Sequence, residues 1–281
     1  MFARPLSWGR LCASAAAAVL AAAPSFGPSS ALDVNGFLPA AGTGDVALSF
    51  TDEGYDEFWV GTTKVSDPGV GDVEIQSLSL WGRWGFTDRF AIVANLPYVD
   101  ADSDGLGGFS DSGIQDLSAL GLFRFVESGP HSLVGGAGFR TALGDYEPNL
   151  PVDLGDGTDD ALLRLVYQFN NGPFYISQQV GYDLRGGDAP DGFPFYTESG
   201  YTFGRVTVSG WYQHYEADGG TDIGDPGFTF PSNREEFQRL GAKVYARASN
   251  RWGFSVAGFT TLDGRNTGDT SGLSVGVVAG L

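Results

Sequence analysis

Residues 237–248 read FQRLGAKVYARA, and this stretch decides the fold. Leu240, Ala242, Val244, Ala246 and Ala248 alternate with Arg239, Gly241, Lys243, Tyr245 and Arg247. A period of two is that of a β-strand with two unlike faces. One face is wholly apolar, and the other carries three cations. A soluble sandwich would turn the apolar face to its core, whereas a membrane barrel turns it to lipid. The C-terminal GLSVGVVAGL repeats the pattern. Leu273, Val275, Val277, Ala279 and Leu281 share one face, while Gly272, Ser274, Gly276, Val278 and Gly280 share the other.

The connections between such runs separate the two scaffolds. Short turns occur at Phe86-Thr87-Asp88-Arg89, Glu127-Ser128-Gly129-Pro130, Asn170-Asn171-Gly172-Pro173, Phe203-Gly204-Arg205 and Ser249-Asn250-Arg251. Between them lie long, acidic, Gly- and Pro-rich loops at about 51–72, 100–113, 144–160, 186–193, 217–234 and 263–270. Strict alternation of short and long connections belongs to an up-and-down outer-membrane barrel, with turns on the periplasmic side and loops outside. A Greek-key sandwich has no reason to alternate. The expected fold is therefore all-β: a transmembrane antiparallel barrel of about twelve strands. These run near 43–51, 72–85, 89–99, 113–126, 131–144, 159–170, 174–186, 193–203, 205–217, 235–249, 251–263 and 270–281. The stretch 57–65 reads either as a hairpin extending strand one or as a strand of its own.

Bulk properties agree. The chain has 281 residues, with 43 Gly, 6 Trp, 11 Tyr and 21 Phe, but only 18% charged residues. Acids outnumber bases 34 to 16, which speaks against a nucleic-acid partner, since phosphate requires a basic face. Residues 1–31 read as a signal peptide. Arg4 and Arg10 supply the charged end, Leu11 to Ala23 the apolar stretch, and Ser29-Ser30-Ala31 a cleavage site, with cleavage after Ala23 as the competitor. Residues 32–281 then form one barrel domain without cysteine, the single Cys12 lying in the leader. The expected location is the bacterial outer membrane.

The cost of a cation on the lipid face orients the strands. At mid-bilayer it is about 2–4 kcal/mol for each Lys or Arg. Arg239, Lys243 and Arg247 must therefore face the lumen, and the same rule turns Arg83, Arg124, Arg140 and Arg164 inward together with Asp116, Asp183 and Glu198. Two roles follow for this set: ion pairs that brace a narrow barrel, or a wall that prefers anions. Phe90, Tyr98, Phe125, Phe169, Tyr201 and Trp252 suit the interfacial girdles.

One stretch suggests a metal. Residues 100–111, DADSDGLGGFSD, place Asp100, Asp102, Asp104 and Asp111 at the spacing of a calcium loop. The flanks are strands rather than helices, and the last acid is Asp rather than Glu, so an EF-hand is excluded. Calcium held by a barrel loop is one reading, a solvated acidic loop another, and divalent ions shared with lipopolysaccharide phosphates a third. No other cofactor is expected. Catalysis finds little support. Ser132 beside His131, and His214 with Glu216, are the sole candidates for a nucleophile and base.

The series Gly85-Phe86-Thr87-Asp88-Arg89-Phe90, Leu96-Pro97-Tyr98, Gly113-Ile114-Gln115-Asp116-Leu117, Leu154-Gly155-Asp156-Gly157-Thr158-Asp159 and Gly181-Tyr182 resembles an outer-membrane transporter family named "MetA-pathway of phenol degradation". The resemblance runs from about residue 44 to 281; Thr141-Ala142-Leu143-Gly144-Asp145 departs from the family's Leu-Pro-Thr-Gly-Asp. It implies passage of small aromatic or hydrophobic compounds. The expected function is passive transport of small solutes by a monomer embedded in outer-membrane lipid and lipopolysaccharide. The alternatives are a closed structural or adhesive surface barrel and, third, an outer-membrane lipid hydrolase.

Overall fold

The structure, a computed structural model, describes residues 32–66, 69, 71–105, 108–144, 155 and 157–281. The signal peptide read at 1–31, Asp145, and most of the loop read at 144–160 lie outside the described residues. The strands are β1 (Gly44–Tyr55), β2 (Phe58–Val60), β3 (Thr63–Val65), β4 (Val73–Thr87), β5 (Phe90–Ser103), β6 (Phe109–Ile114), β7 (Leu117–Ser128), β8 (His131–Thr141), β9 (Asp160–Asn171), β10 (Phe174–Leu184), β11 (Asp191–Phe203), β12 (Val206–Asp218), β13 (Glu236–Arg247), β14 (Trp252–Arg265) and β15 (Ser271–Gly280). All ladders are antiparallel between chain neighbours, and β1 pairs with both β4 and β15, so the sheet closes on itself. The seam runs from Asp45 opposite Gly280 to Gly54 opposite Ser271.

Twelve staves make the ring, because β6 and β7 share one position. Ser103 to Tyr98 of β5 pair with β6, and Asn95 to Phe90 pair with β7. Gln115 and Asp116, both buried, form the break between them. β2 and β3 form a separate small hairpin above β1, which settles the reading of 57–65.

Alternation holds around the barrel. On β13, Leu240 and Val244 are 49% and 44% exposed, while Arg239 and Lys243 are 2% and 6% exposed. Leu48, Phe50, Leu78, Leu80, Val180, Val208, Val256 and Val275 continue the exposed apolar band. Tyr98, Phe125, Tyr201 and Trp252 also face outward.

The abundance of both glycine and aromatics has a packing reason. Rings on the inner wall lie flat across glycines of the neighbouring strand. A Cβ on Gly241 would fall 2.3 Å from Trp211 Cζ2, and one on Gly200 would fall 2.4 Å from the Tyr175 ring. Such pairs let large side chains fill a tight interior without pushing strands apart. Gly241→Val is expected to unseat Trp211 and to lower the unfolding free energy by about 1–3 kcal/mol. Urea titration in lipid and the near-ultraviolet circular dichroism of tryptophan measure the two effects. An unchanged spectrum would mean that the ring is not held by this contact.

Candidate functional site: the barrel lumen

The chain preceding β1 runs up inside the barrel. At the turn end, Gly42 N–H donates to Gly85 O at 2.8 Å and Ala41 N–H to Asp88 Oδ1 at 3.1 Å. Arg83 Nη1 then donates to Phe37 O at 3.1 Å, and the Phe37 ring meets Tyr175 edge-on at 5.1 Å. Higher up, Gly36 N–H donates to Gln168 Oε1 at 3.0 Å and Val34 N–H to Gln179 Oε1 at 2.8 Å. Asp33, at the tip, accepts from Gln179 Nε2 at 2.6 Å and from Gln213 Nε2 at 2.7 Å. Leu32, Val34 and Leu38 bury themselves against Trp81, Val93, Leu120, Leu122, Val134, Leu162 and Val166 of the opposite wall. The segment therefore satisfies its backbone with side-chain amides on one side and packs apolar groups on the other. A cavity of about 30 Å³ remains beside it, lined by residues that include Asp33, Trp81, Arg83, Tyr196 and Glu198. That is room for roughly one or two waters.

Most of the charged residues turned inward by the sequence argument are buried in the lumen, and nearly all are paired. Arg83 Nη2 meets Asp45 Oδ2 at 2.7 Å, and Arg164 Nη1 meets Asp183 Oδ1 at 2.5 Å. Arg140 Nε donates to Asp160 Oδ2 at 2.7 Å and lies 3.8 Å from Asp116, while Arg185 approaches Asp160 at 3.6 Å. Glu198 accepts from Tyr175 and Tyr196 and holds Lys243 at 3.4 Å. Arg124 and Arg247 lie near the turn end and are half-buried; Arg124 reaches Glu127 at 3.5 Å. Arg239 differs. It makes no hydrogen bond or ion pair among the described residues, and its guanidinium lies 4.3 Å from the Phe237 ring centroid and 5.7 Å from that of Phe259.

Around Arg239 the inner wall is aromatic. Tyr196 and Trp211 have centroids 6.1 Å apart, as do Trp211 and Phe259, and Tyr215 stacks on Phe237 at 5.6 Å. This ladder crosses β11 to β14. Sequence parity places each ring inward, opposite to the aromatics of the interfacial girdles. Asp45, Asp160, Arg185 and the three glutamines were missed. Asp160 and Gln168 share the parity of Arg164 and were legible on that ground. The segment 32–39 carries no strand pattern, and nothing in its composition points inward.

The acidic stretch 100–111 is not a loop along most of its length. β5 runs to Ser103 and β6 begins at Phe109. Ala101 and Ser103 face inward and are buried, which sends Asp100 and Asp102 outward; Asp111, opposite Ala101, has the other orientation. Asp104 accepts the Asp72 N–H at 2.8 Å. The four carboxylates are thus dispersed, and no group of three or more metal-ligating side chains gathers among the described residues. Outside the membrane, Asp222 is held by Arg265 at 2.7 Å and by Asn266, and the Arg265 hydrogen bonds pull its carboxyl down to about 2. His131 Nδ1 lies 2.8 Å from Tyr167 Oη on the exposed face, whereas Ser132 is buried, so the two sit on opposite sides of β8. His214 Nε2 lies 3.9 Å from Glu216.

A closed twelve-stave barrel with an apolar belt, aromatic rims and a charged interior has the architecture of a bacterial outer-membrane barrel. The protein belongs to the "MetA-pathway of phenol degradation" family, whose match spans residues 56–276. No match was found among curated protein sequences. Among solved structures, the COG4313 outer membrane channel from Pseudomonas putida F1 superposes with a TM-score of 0.71 at 14% identity, covering 86% of this chain and 96% of that one. The KdgM porin in complex with oligogalacturonate gives 0.50 at 9% identity over 83% and 98%. The translocator domain of the autotransporter NalP from Neisseria meningitidis gives 0.50 at 11% identity over 85% and 88%. At these identities the likeness is one of fold.

Proposed function

We propose that the barrel is a monomeric, non-enzymatic channel for passive uptake of small, flat, largely aromatic solutes. The observation that carries this reading is the aromatic ladder on the inner wall, Tyr196–Trp211–Phe259 and Phe237–Tyr215, with Arg239 set between its two halves. Lipid-facing aromatics anchor a barrel. Contiguous aromatics on the lumen side offer faces on which a planar solute stacks and moves from ring to ring. The family's name, which refers to phenol degradation, supports the same solute class. Transit requires residues 32–39 to move, because they fill the turn-side half of the bore.

Liposome swelling and single-channel recording on refolded protein test the proposal. Phenol-sized solutes are expected to enter while disaccharides do not, and ion steps are expected to be small and brief. The double change Arg239→Ala, Lys243→Ala should shift the reversal potential toward cations; an unchanged ion preference would remove both residues from the path. Silence in both assays from folded protein would instead favour a closed surface barrel. One observation favours that second reading: Asp52, Glu74, Asp100 and Asp102 face outward on adjacent strands just above Phe50, Leu78 and Tyr98. At that height they meet lipopolysaccharide phosphates, with divalent ions between.

A further inference from the structure

Two buried charges in the lumen stand apart from the rest. Asp45, Asp160, Asp183 and Glu198 each hold an arginine or lysine. Glu53, on β1, is buried at 6% exposure, and neither carboxylate oxygen has a hydrogen-bond partner among the described residues. Arg239 is the matching cation, with Nε and Nη1 unpartnered among the described residues. Yet the two do not form an ion pair. Phe259 lies against both: its ring edge and the Glu53 Cβ cover Gly272 together, each within 2.7 Å of where a Cβ would stand, while Arg239 sits 5.7 Å from the ring centroid. Beside Arg239 in the β12–β13 ladder is Gln213, whose Oε1 is also unpartnered among the described residues although its Nε2 holds Asp33.

Unpaired charges in an interior are costly and are retained where something binds. A single ligand that satisfies this set needs an anionic acceptor for Arg239, an apolar face for Phe259 and Phe237, and a donor for Glu53 at its other end. We propose that Glu53, Phe259 and Arg239 form a luminal site for an aromatic carboxylate carrying a hydroxyl or amino group across the ring from the carboxylate. The carboxylate takes the open guanidinium N–H groups and the ring lies along the ladder. The hydroxyl or amino donor is taken by Glu53. Because Gln213 also grips the tip of the luminal segment, the ligand rests directly above that tip.

The site rests on the reading of the lumen as a solute path, and equilibrium binding separates the two. Full-length protein in detergent is titrated calorimetrically with 4-hydroxybenzoate, benzoate and phenol, while swelling is recorded on the same preparation. Saturable binding of 4-hydroxybenzoate is expected, with benzoate and phenol weaker by about tenfold or more, since each leaves one buried group unpaired. Arg239→Gln and Glu53→Gln should each abolish binding, yet unfold at the same or higher temperature, because each removes an unpaired buried charge. Benzoate binding as tightly as 4-hydroxybenzoate would overturn the assignment to Glu53. Binding that survives Arg239→Gln, or no binding in protein that supports swelling, would overturn the site. Loss of swelling with binding intact would overturn the path and leave the site standing.

Discussion

A chain that begins at Ala40 is expected to conduct ions about tenfold better than one that begins at Leu32, because a twelve-strand bore is wide enough to hold water once it is emptied. The segment 32–39 is held by named contacts. Gln168, Gln179 and Gln213 bond its backbone and Asp33, Arg83 bonds Phe37 O, and Leu32, Val34 and Leu38 fill the apolar wall. Each contact is local to the segment, so its removal leaves every strand ladder intact. Both chains should therefore refold to the same heat-shifted band on a gel. A subtler version keeps the segment and changes Asp33→Ala. Two glutamine amides then lose their acceptor, and the tip should come loose often enough to produce flickering openings rather than a steady current. Equal conductance of the two chains would mean that the segment does not occupy the bore in the membrane.

Breaking the Arg164–Asp183 pair should cost about 3–5 kcal/mol, the range for stranding one partner of a buried ion pair. The pair sits at 2.5 Å with side chains 0% and 1% exposed, and Arg164 already leaves Nε and Nη2 without partners among the described residues. Asp183→Ala therefore isolates a guanidinium that has little else to bind. The double change Arg164→Met, Asp183→Leu should be nearly neutral, since it removes both charges and keeps volume. Equilibrium urea unfolding in lipid vesicles measures both. A single mutant as stable as the parent would mean that water reaches the pair freely and that the lumen around β9 and β10 is wet.

The frame of the barrel was legible because lipid imposes a rule on every strand. An apolar residue must stand at each second position, so FQRLGAKVYARA orients β13 without knowledge of its neighbours. The same rule reached the partners of Arg164 and Lys243 as inward residues, although it does not say which acid meets which base. Register decides that, and register follows from ring closure. Two things escaped for a physical reason. The β5 and β6 extensions above the membrane keep strand geometry with polar outer faces, so DADSDG reads as a loop when only the hydrophobic pattern is followed. The luminal segment obeys neither water nor lipid. Its Asp, Gly and amide contacts make sense only against walls supplied by residues more than a hundred positions away. Arg239 was visible as a cation facing the lumen, whereas Glu53 fell in the stretch read as a loop at 51–72; only the packed interior shows that both are left unpaired among the described residues.

The seam between β1 and β15 also fixes an order of assembly. Leu281 N–H donates to Gly44 O at 2.9 Å, and the segment enclosed by the ring is the one that leads directly into Gly44. The first stave therefore waits, with its luminal segment, until the last is made. No shorter stretch of the chain has a ring to close, and closing so long a loop is repaid only when the final ladder forms. The ring, and with it the enclosure of the luminal segment, is complete only when the ladder between β1 and β15 is made.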